Sequence, residues 1–166
     1  MKLTHALAVC LSALTLLTAE TGCRKIGKSV TEKAIEEGTG AKNVDLDKGK
    51  MQVEGPNGQK MALGENVAVP DGWPKDRVPL YPGAKLTAAI TANGQLSCIA
   101  ETTDSPDKVK AFYKSKLAAY KEEGTFTSPQ AMTAVYKSSA ETVSLSASSA
   151  GDGKTMVSLA VSPEKK

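Results

Sequence analysis

The chain contains little histidine and cysteine, which limits the chemistry open to it. Of its 166 residues, one is histidine and three are cysteines. Because no histidine follows His5, the rest of the chain lacks the residue that Ser-His-Asp and Cys-His mechanisms and His-containing zinc or iron sites require. Cys98 is the one cysteine after Cys23, so the body of the chain has no intramolecular disulfide or thiolate cluster. We therefore expect no metal, no cofactor and no enzyme activity.

Aromatic residues and net charge are also low. Four tyrosines, two phenylalanines and one tryptophan are the aromatic residues of the chain, which predicts a core of modest size. The formal charge of +3 is a weak excess and gives no indication of nucleic-acid binding. No glycine-rich phosphate loop of the dinucleotide or P-loop type occurs. The length suits one domain of ordinary size preceded by a targeting segment.

Residues 1–22 have the layout of a secretory signal peptide. Met1–His5 is short and basic, and Ala6–Ala19 is apolar. As a helix that rises about 1.5 Å per residue, the apolar stretch would reach roughly 21 Å, short of the roughly 30 Å hydrocarbon core of a bilayer. A removable export signal therefore fits this segment better than a permanent transmembrane helix.

The signal ends at Thr21-Gly22-Cys23, which resembles the bacterial lipobox. In that motif a small residue precedes a cysteine that is acylated and becomes the new N-terminus, and Gly22 and Cys23 match it. The resemblance implies a membrane partner bound through lipid on Cys23, and a place in the cell envelope, on the periplasmic face of the outer membrane in a Gram-negative cell. Glu20 stands where the lipobox has an aliphatic residue, so an ordinary secreted protein with an unpaired Cys23 is the alternative.

After the signal, apolar residues first recur at every fourth position and then at every second position. Residues 23–42 are expected to be a tether with a short amphipathic helix, since Ile26, Val30 and Ala34 recur every four residues. Residues 43–84 are expected to be a small β-meander and a Pro-rich connector whose Trp73 covers an edge of the sheet. The three strands of the meander are predicted from alternating apolar pairs, at Val44 and Leu46, Met51 and Val53, and Met61 and Leu63.

Residues 85–166 predict an antiparallel domain with one helix. Alternating residues on both sides of Asn93-Gly94 indicate a β-hairpin. Ser105 and Pro106 are expected to begin a helix that Gly124 ends. Three further strands are predicted from the alternation of Met132, Ala134 and Tyr136, of Val143, Leu145 and Ala147, and of Val157, Leu159 and Val161.

The predicted fold class is α+β, with the element order ββαβββ after the short helix and the meander. The main amphipathic helix would pack on one face of the antiparallel sheet, against Leu86, Leu145 and Leu159. Cys98 falls on the second strand of the hairpin, where a lone cysteine is most simply a small buried apolar residue.

These features together resemble a group of uncharacterised bacterial lipoproteins. The resemblance rests on Cys23, the 31–36 helix, the segment Pro79-Leu80-Tyr81-Pro82-Gly83-Ala84 and the Ser105-Pro106 helix start. It covers nearly the whole chain after the signal, and the Pro79–Ala84 segment is its most specific element. It implies topology and envelope location only, and Cys23 is the one functional residue that it carries over.

Lysines on the predicted helix are the weak candidates for ligand binding. Lys110, Lys114 and Lys121 were expected on one stripe, which would suit anionic lipid, lipopolysaccharide or an acidic polymer. A solvated helix face explains the same pattern. The leading hypothesis is a non-catalytic envelope lipoprotein that acts as an interaction or accessory module at the membrane. The alternatives are a binder of a small apolar or anionic envelope ligand and, more distantly, a hydrolase that works without histidine.

Overall fold

A computed structural model describes residues 32–37, 40–47, 49–55 and 57–164. The predicted signal over residues 1–22, the acylation site Cys23 and the first part of the predicted tether lie outside the described residues. Within the described part of the chain, nine strands form one antiparallel sheet, and one main helix accompanies a shorter one.

The first part of the fold is a short helix and a β-meander, as the apolar spacing predicted. Helix α1 spans 32–37. Strand β1 spans Lys42–Asp47, β2 spans Lys50–Glu54 and β3 spans Lys60–Leu63. Each strand pairs antiparallel with the next. The three predicted strands of the meander are therefore confirmed.

The second part begins with the predicted hairpin and helix. Strands β4, Lys85–Ala92, and β5, Gln95–Thr102, flank a turn at Asn93-Gly94 in which both residues have positive φ, as a tight two-residue hairpin requires. Helix α2 spans Pro106–Lys116, and the Ser105 hydroxyl accepts a hydrogen bond from the Lys108 N–H, which satisfies one of the free donors of the first turn.

The predicted end of the main helix is wrong. Helix α2 stops at Lys116 with Leu117 as its C-cap, whereas the sequence predicted a helix to Gly124. Residues Lys121–Ser128 form strand β6, which the sequence analysis missed. Ala118 and Ala119 favour a helix locally, but pairing of β6 with the following strand overrides this preference.

The remaining strands agree with prediction, and their order brings the end of the chain to the interior of the sheet. Strand β7 spans Ala131–Lys137, β8 spans Glu141–Gly151 and β9 spans Lys154–Pro163. The strand order is β1-β2-β3-β4-β5-β9-β8-β7-β6, so β1 and β6 are the two edges. An antiparallel sheet with one main helix is confirmed. The order ββαβββ is too simple, because β6 is added and β3 pairs with β4 to join the meander to the same open sheet.

One face of the sheet, here called the helix face, carries the core. Leu86, Leu145 and Leu159 lie buried on it with α2, as predicted. Val109, Tyr113 and Leu117 of the helix region are fully buried against these strands. Trp73 and Val78 of the Pro-rich connector join this same core cluster, so the connector packs against the sheet. The Trp73 indole N–H donates to the Val78 carbonyl oxygen at 2.8 Å, which satisfies its buried polar atom.

The opposite face, here called the second face, can be traced through the strand register, because residues paired across antiparallel strands project to the same side. Pairing connects one residue of each strand in a row across the whole sheet. In strand order the row is Leu46, Met51, Leu63, Ala88, Ile99, Ser158, Ser146, Thr133 and Phe126. Most of these side chains are half-buried or exposed.

Candidate functional site

A cleft of about 460 Å³ lies between strands β2 to β4 and the segment 66–71. Its floor lies on the helix face, where Gln52, Ala62 and Ala89 form one row across the three strands. Because the side chains of the two alanines are small, a space remains between them and the overlying segment 66–71. Val67 and Val69 line the other wall.

Backbone contacts hold the segment over the cleft. The Gly64 N–H donates to the Thr87 carbonyl oxygen at 3.0 Å, and the Val67 N–H donates to the Leu86 carbonyl oxygen at 3.2 Å. Gly64 has φ +127°, and a Cβ there would lie 2.6 Å from the Gly49 carbonyl oxygen. A glycine is therefore needed where the chain turns from β3 into the cleft wall.

Polar side chains surround the mouth of the cleft. Lys60 Nζ lies 3.7 Å from Asp71 Oδ2 across it, and both side chains are largely exposed. Gln52, Glu54 and Asn66 add amide and carboxylate groups to the lining. An alanine and valine floor with polar groups at its rim suits a small amphipathic ligand. None of the side chains that line the cleft is a histidine or a cysteine.

A second, shallower depression lies on the second face at the turn between β1 and β2. Its volume is about 380 Å³, and Leu46, Met51 and Leu63 provide its apolar surface. These three residues are register partners in strands β1, β2 and β3. Lys50 also borders it.

The three candidate lysines do not form one stripe on a helix. Lys110 and Lys114 lie on α2, but Lys121 is the first residue of β6. Lys110 Nζ donates to Thr127 Oγ1 at 2.9 Å, and Lys121 Nζ lies 2.9 Å from Glu123 Oε1. Their predicted common placement is wrong because the helix ends five residues earlier than Lys121. None of the three lines either concavity.

A buried ion pair that the sequence analysis missed joins the connector to the sheet. Arg77 donates two hydrogen bonds to the Glu141 carboxylate, at 2.8 and 2.9 Å, and the Tyr120 hydroxyl donates a third. The Glu141 side chain is 7% exposed, whereas that of Arg77 is 60% exposed. The hydrogen bond from Arg77 lowers the pKa of Glu141 below its usual value, against the opposing effect of burial. Because Arg77 and Tyr120 both donate to its carboxylate, Glu141 fastens the connector to the sheet. The same hydrogen bonds leave this carboxylate unavailable as a general acid or base.

A tyrosine hydroxyl and a thiol lie together in the core. Cys98 is buried, as predicted, and burial raises its pKa to about 12. Burial also raises the pKa of Tyr113, whose hydroxyl has no hydrogen-bond partner in the part of the chain that the structure describes. A thiol with so high a pKa remains protonated at neutral pH, so Cys98 is a packing residue and a poor nucleophile.

Two properties of the described residues bear on membrane and metal binding. No helix within them is long and apolar enough to cross a membrane. They contain no group of three or more histidine, cysteine, aspartate or glutamate side chains arranged to hold a metal ion.

Comparisons with protein-family models, with curated proteins and with solved structures found no match to this chain. The resemblance to bacterial lipoproteins and the acylation of Cys23 therefore stay predictions from the sequence.

Proposed function

We propose that the protein is a non-catalytic lipoprotein of the bacterial cell envelope that serves as an interaction or accessory module at the membrane. The observation that carries the proposal is Gly22-Cys23, which follows the apolar segment Ala6–Ala19 after only Glu20 and Thr21. Acylation of Cys23 would bury two or three acyl chains, each methylene contributing about 0.8 kcal/mol, and would hold the protein on the membrane without a protein span.

The chemistry of the body supports a non-catalytic role. The only histidine is His5, which would leave with the signal. Glu141, the most buried carboxylate of the described residues, accepts hydrogen bonds from Arg77 and Tyr120. Cys98 has a raised pKa and lies in the core. These groups serve packing and ion pairing, and the proposal assigns them no chemical step.

Mass spectrometry of the mature protein tests the proposal. Purified from a bacterial membrane fraction, the wild-type chain should begin at Cys23 and carry the added mass of its acyl groups. Cys23→Ala should lose both the modification and the membrane association, while Cys98→Ala should retain them. A wild-type chain with an unmodified N-terminus at another residue would refute the proposal.

The cleft favours a second candidate function, the binding of a small apolar or anionic envelope ligand. Its alanine floor and polar rim carry this candidate. Myristate, lysophosphatidylethanolamine and N-acetylglucosamine are suitable probes in a thermal-shift measurement. A raised melting temperature should be lost in Ala62→Leu, which fills the floor, and kept in Ala160→Leu on the second face. No shift with any probe would reject this candidate.

A further inference from the structure

The second face changes in character from one edge of the sheet to the other. Over β1 to β4 its two rows present large apolar side chains, here called the anchor-side patch: Leu46, Met51, Val53, Met61, Leu63 and Ile90. Each of the six is only partly buried. Over β9, β8 and β7 the same rows present mainly serine, alanine and threonine. The isolated Phe126 then stands at the far edge, 68% exposed.

Helix α1 fixes the start of the described chain to the edge next to this patch. Glu36 Oε1 accepts a hydrogen bond from the Val44 N–H at 3.0 Å, and Glu32 Oε1 accepts one from the Leu46 N–H at 2.8 Å. The nine residues from Cys23 to Glu32 reach at most about 32 Å, whatever their conformation. A sheet of nine strands is about 38 Å wide. A lipid on Cys23 therefore keeps the β1 edge within about 32 Å of the bilayer, whereas the β6 edge can lie farther away.

We propose that the anchor-side patch rests on the surface of the bilayer that holds the lipid. The inference depends on the proposed acylation of Cys23. The patch places apolar side chains on the part of the second face nearest the anchor, and neither of its rows contains an acidic residue.

The size of the patch favours a bilayer over a second copy of the chain. With about 4.8 Å between strands and about 7 Å between rows, the patch covers roughly 300 Å². A stable protein interface needs roughly 800 Å² from each partner. A membrane contact needs far less intrinsic affinity, because the anchor already holds the patch at a high effective concentration beside the bilayer.

An environment-sensitive fluorophore on the second face tests the inference. The lipidated chain with Met61→Cys, labelled with a nitrobenzoxadiazole dye, is added to vesicles of phosphatidylethanolamine and phosphatidylglycerol. Its emission should shift to shorter wavelength and rise several-fold. Two controls should remain unchanged: Asp45→Cys, near the anchor but on the helix face, and Thr133→Cys, on the second face but far from the anchor.

Three outcomes would overturn the inference. The label at residue 61 behaves like the label at residue 45; or it responds to protein concentration without vesicles, which would assign the patch to a second copy; or its response survives Met51→Asp. Mass spectrometry of Cys23 tests the anchor separately. If Cys23 is not acylated, a Cys23→Ser chain held by an N-terminal histidine tag on nickel-chelating lipid still tests whether the patch meets a bilayer placed beside it.

Discussion

Glu141 and Tyr113 are both buried in this small core, yet their polar atoms have opposite surroundings. The Glu141 carboxylate receives hydrogen bonds from Arg77 and Tyr120. The Tyr113 hydroxyl forms no hydrogen bond of ordinary geometry within the described residues, although the Tyr81 backbone lies near enough to oppose the effect of burial on its pKa. A satisfied buried charge is costly to disturb, whereas an unsatisfied buried hydroxyl has already lost its hydration without compensation. Single substitutions at the two positions should therefore change stability in different directions.

Glu141→Gln should lower the free energy of unfolding at pH 7 by about 1–2 kcal/mol, the lower part of the range for charged hydrogen bonds, because Arg77 is largely exposed. The pKa of Glu141 is lowered in the folded state from its usual 4.5. Its ionised form therefore stabilises the fold above pH 4.5, and this contribution is lost as the pH falls through the folded pKa.

Urea unfolding at a series of pH values measures this effect. The difference between wild type and Glu141→Gln should be complete at pH 7 and shrink as the solution is acidified below pH 4.5. Glu65→Gln, an exposed carboxylate on a turn, is the matched control and should change little at any pH. A difference that stayed constant from pH 7 to pH 3 would argue against the charge of Glu141 as the cause.

Tyr113→Phe should leave the free energy of unfolding unchanged or raise it by up to about 1 kcal/mol, because it removes only an unpaired buried hydroxyl. Tyr120→Phe makes the same chemical change but removes the hydrogen bond to Glu141, and should lower it by about 1 kcal/mol. Denaturant unfolding of the two variants side by side gives the comparison. A clear loss of stability in Tyr113→Phe would mean that the hydroxyl has a partner in solution.

At the scale of elements, the two edge strands of the sheet are protected against further strand pairing in different ways. Edge strand β1 has two of its N–H groups bound by carboxylates of α1. Edge strand β6 has exposed side chains over nearly its whole length, and a register shift between Glu122 and Gly124. Charged residues and irregular pairing are common ways to discourage further strand addition. Helix α1 thus protects one edge, and the irregular, charged start of β6 protects the other.

Glu36→Ala should speed amide hydrogen exchange at Val44 about tenfold, the equivalent of about 1.4 kcal/mol of lost protection. The Glu36 carboxylate accepts the hydrogen bond of this edge N–H, and alanine leaves it to solvent. Glu37→Ala, on the same short helix, should leave the exchange rate at Val44 unchanged. If both variants exchange alike, α1 does not protect β1 through this contact.

The elements that sequence could predict are those with one buried face. The alternating apolar residues of β5, β7, β8 and β9 all lie on the helix face, and the cap at Ser105 marks the start of α2. Strand β6, Lys121–Ser128, shows no alternation of apolar and polar residues, because seven of its eight residues are exposed. Its local sequence therefore favoured a longer helix, and only pairing with β7 makes it a strand.

The candidate sites were less predictable than the strands. Arg77 and Glu141 are separated by 64 positions in the sequence, and neither lies in a sequence motif that predicts the other as its partner. The cleft exists because Ala62 and Ala89 have small side chains beneath a loop. Two alanines in separate strands form no sequence pattern from which a cleft could be predicted. The burial of Cys98 could be predicted because it occupies an alternating apolar position.

At the scale of the whole molecule, the meander and the helix-covered strands share one hydrogen-bonded sheet. Strand β3 pairs with β4 along four residues, and the connector between them packs Trp73 into the common core. Continuous pairing of this kind couples the two parts in unfolding. The sheet should behave as one cooperative unit.

Urea unfolding followed by Trp73 fluorescence and by far-ultraviolet circular dichroism should therefore give the same midpoint and the same slope. Trp73 is the single tryptophan of the chain and is 6% exposed, so its emission reports the core, while circular dichroism reports all nine strands. A circular dichroism transition that begins well before the fluorescence change would indicate that the meander unfolds on its own.

The position of β9 also has a consequence for how the chain is made. Lys154–Pro163 is the last of the nine described strands to be synthesised, yet it lies between β5 and β8 in the interior of the sheet. Until that strand emerges, β5 and β8 have no partner on their facing sides, and the helix has no finished surface to cover. A nascent chain thus cannot close its core early. Such a delay would suit the export proposed from the sequence, because an incompletely folded chain can pass through a channel that admits extended polypeptide.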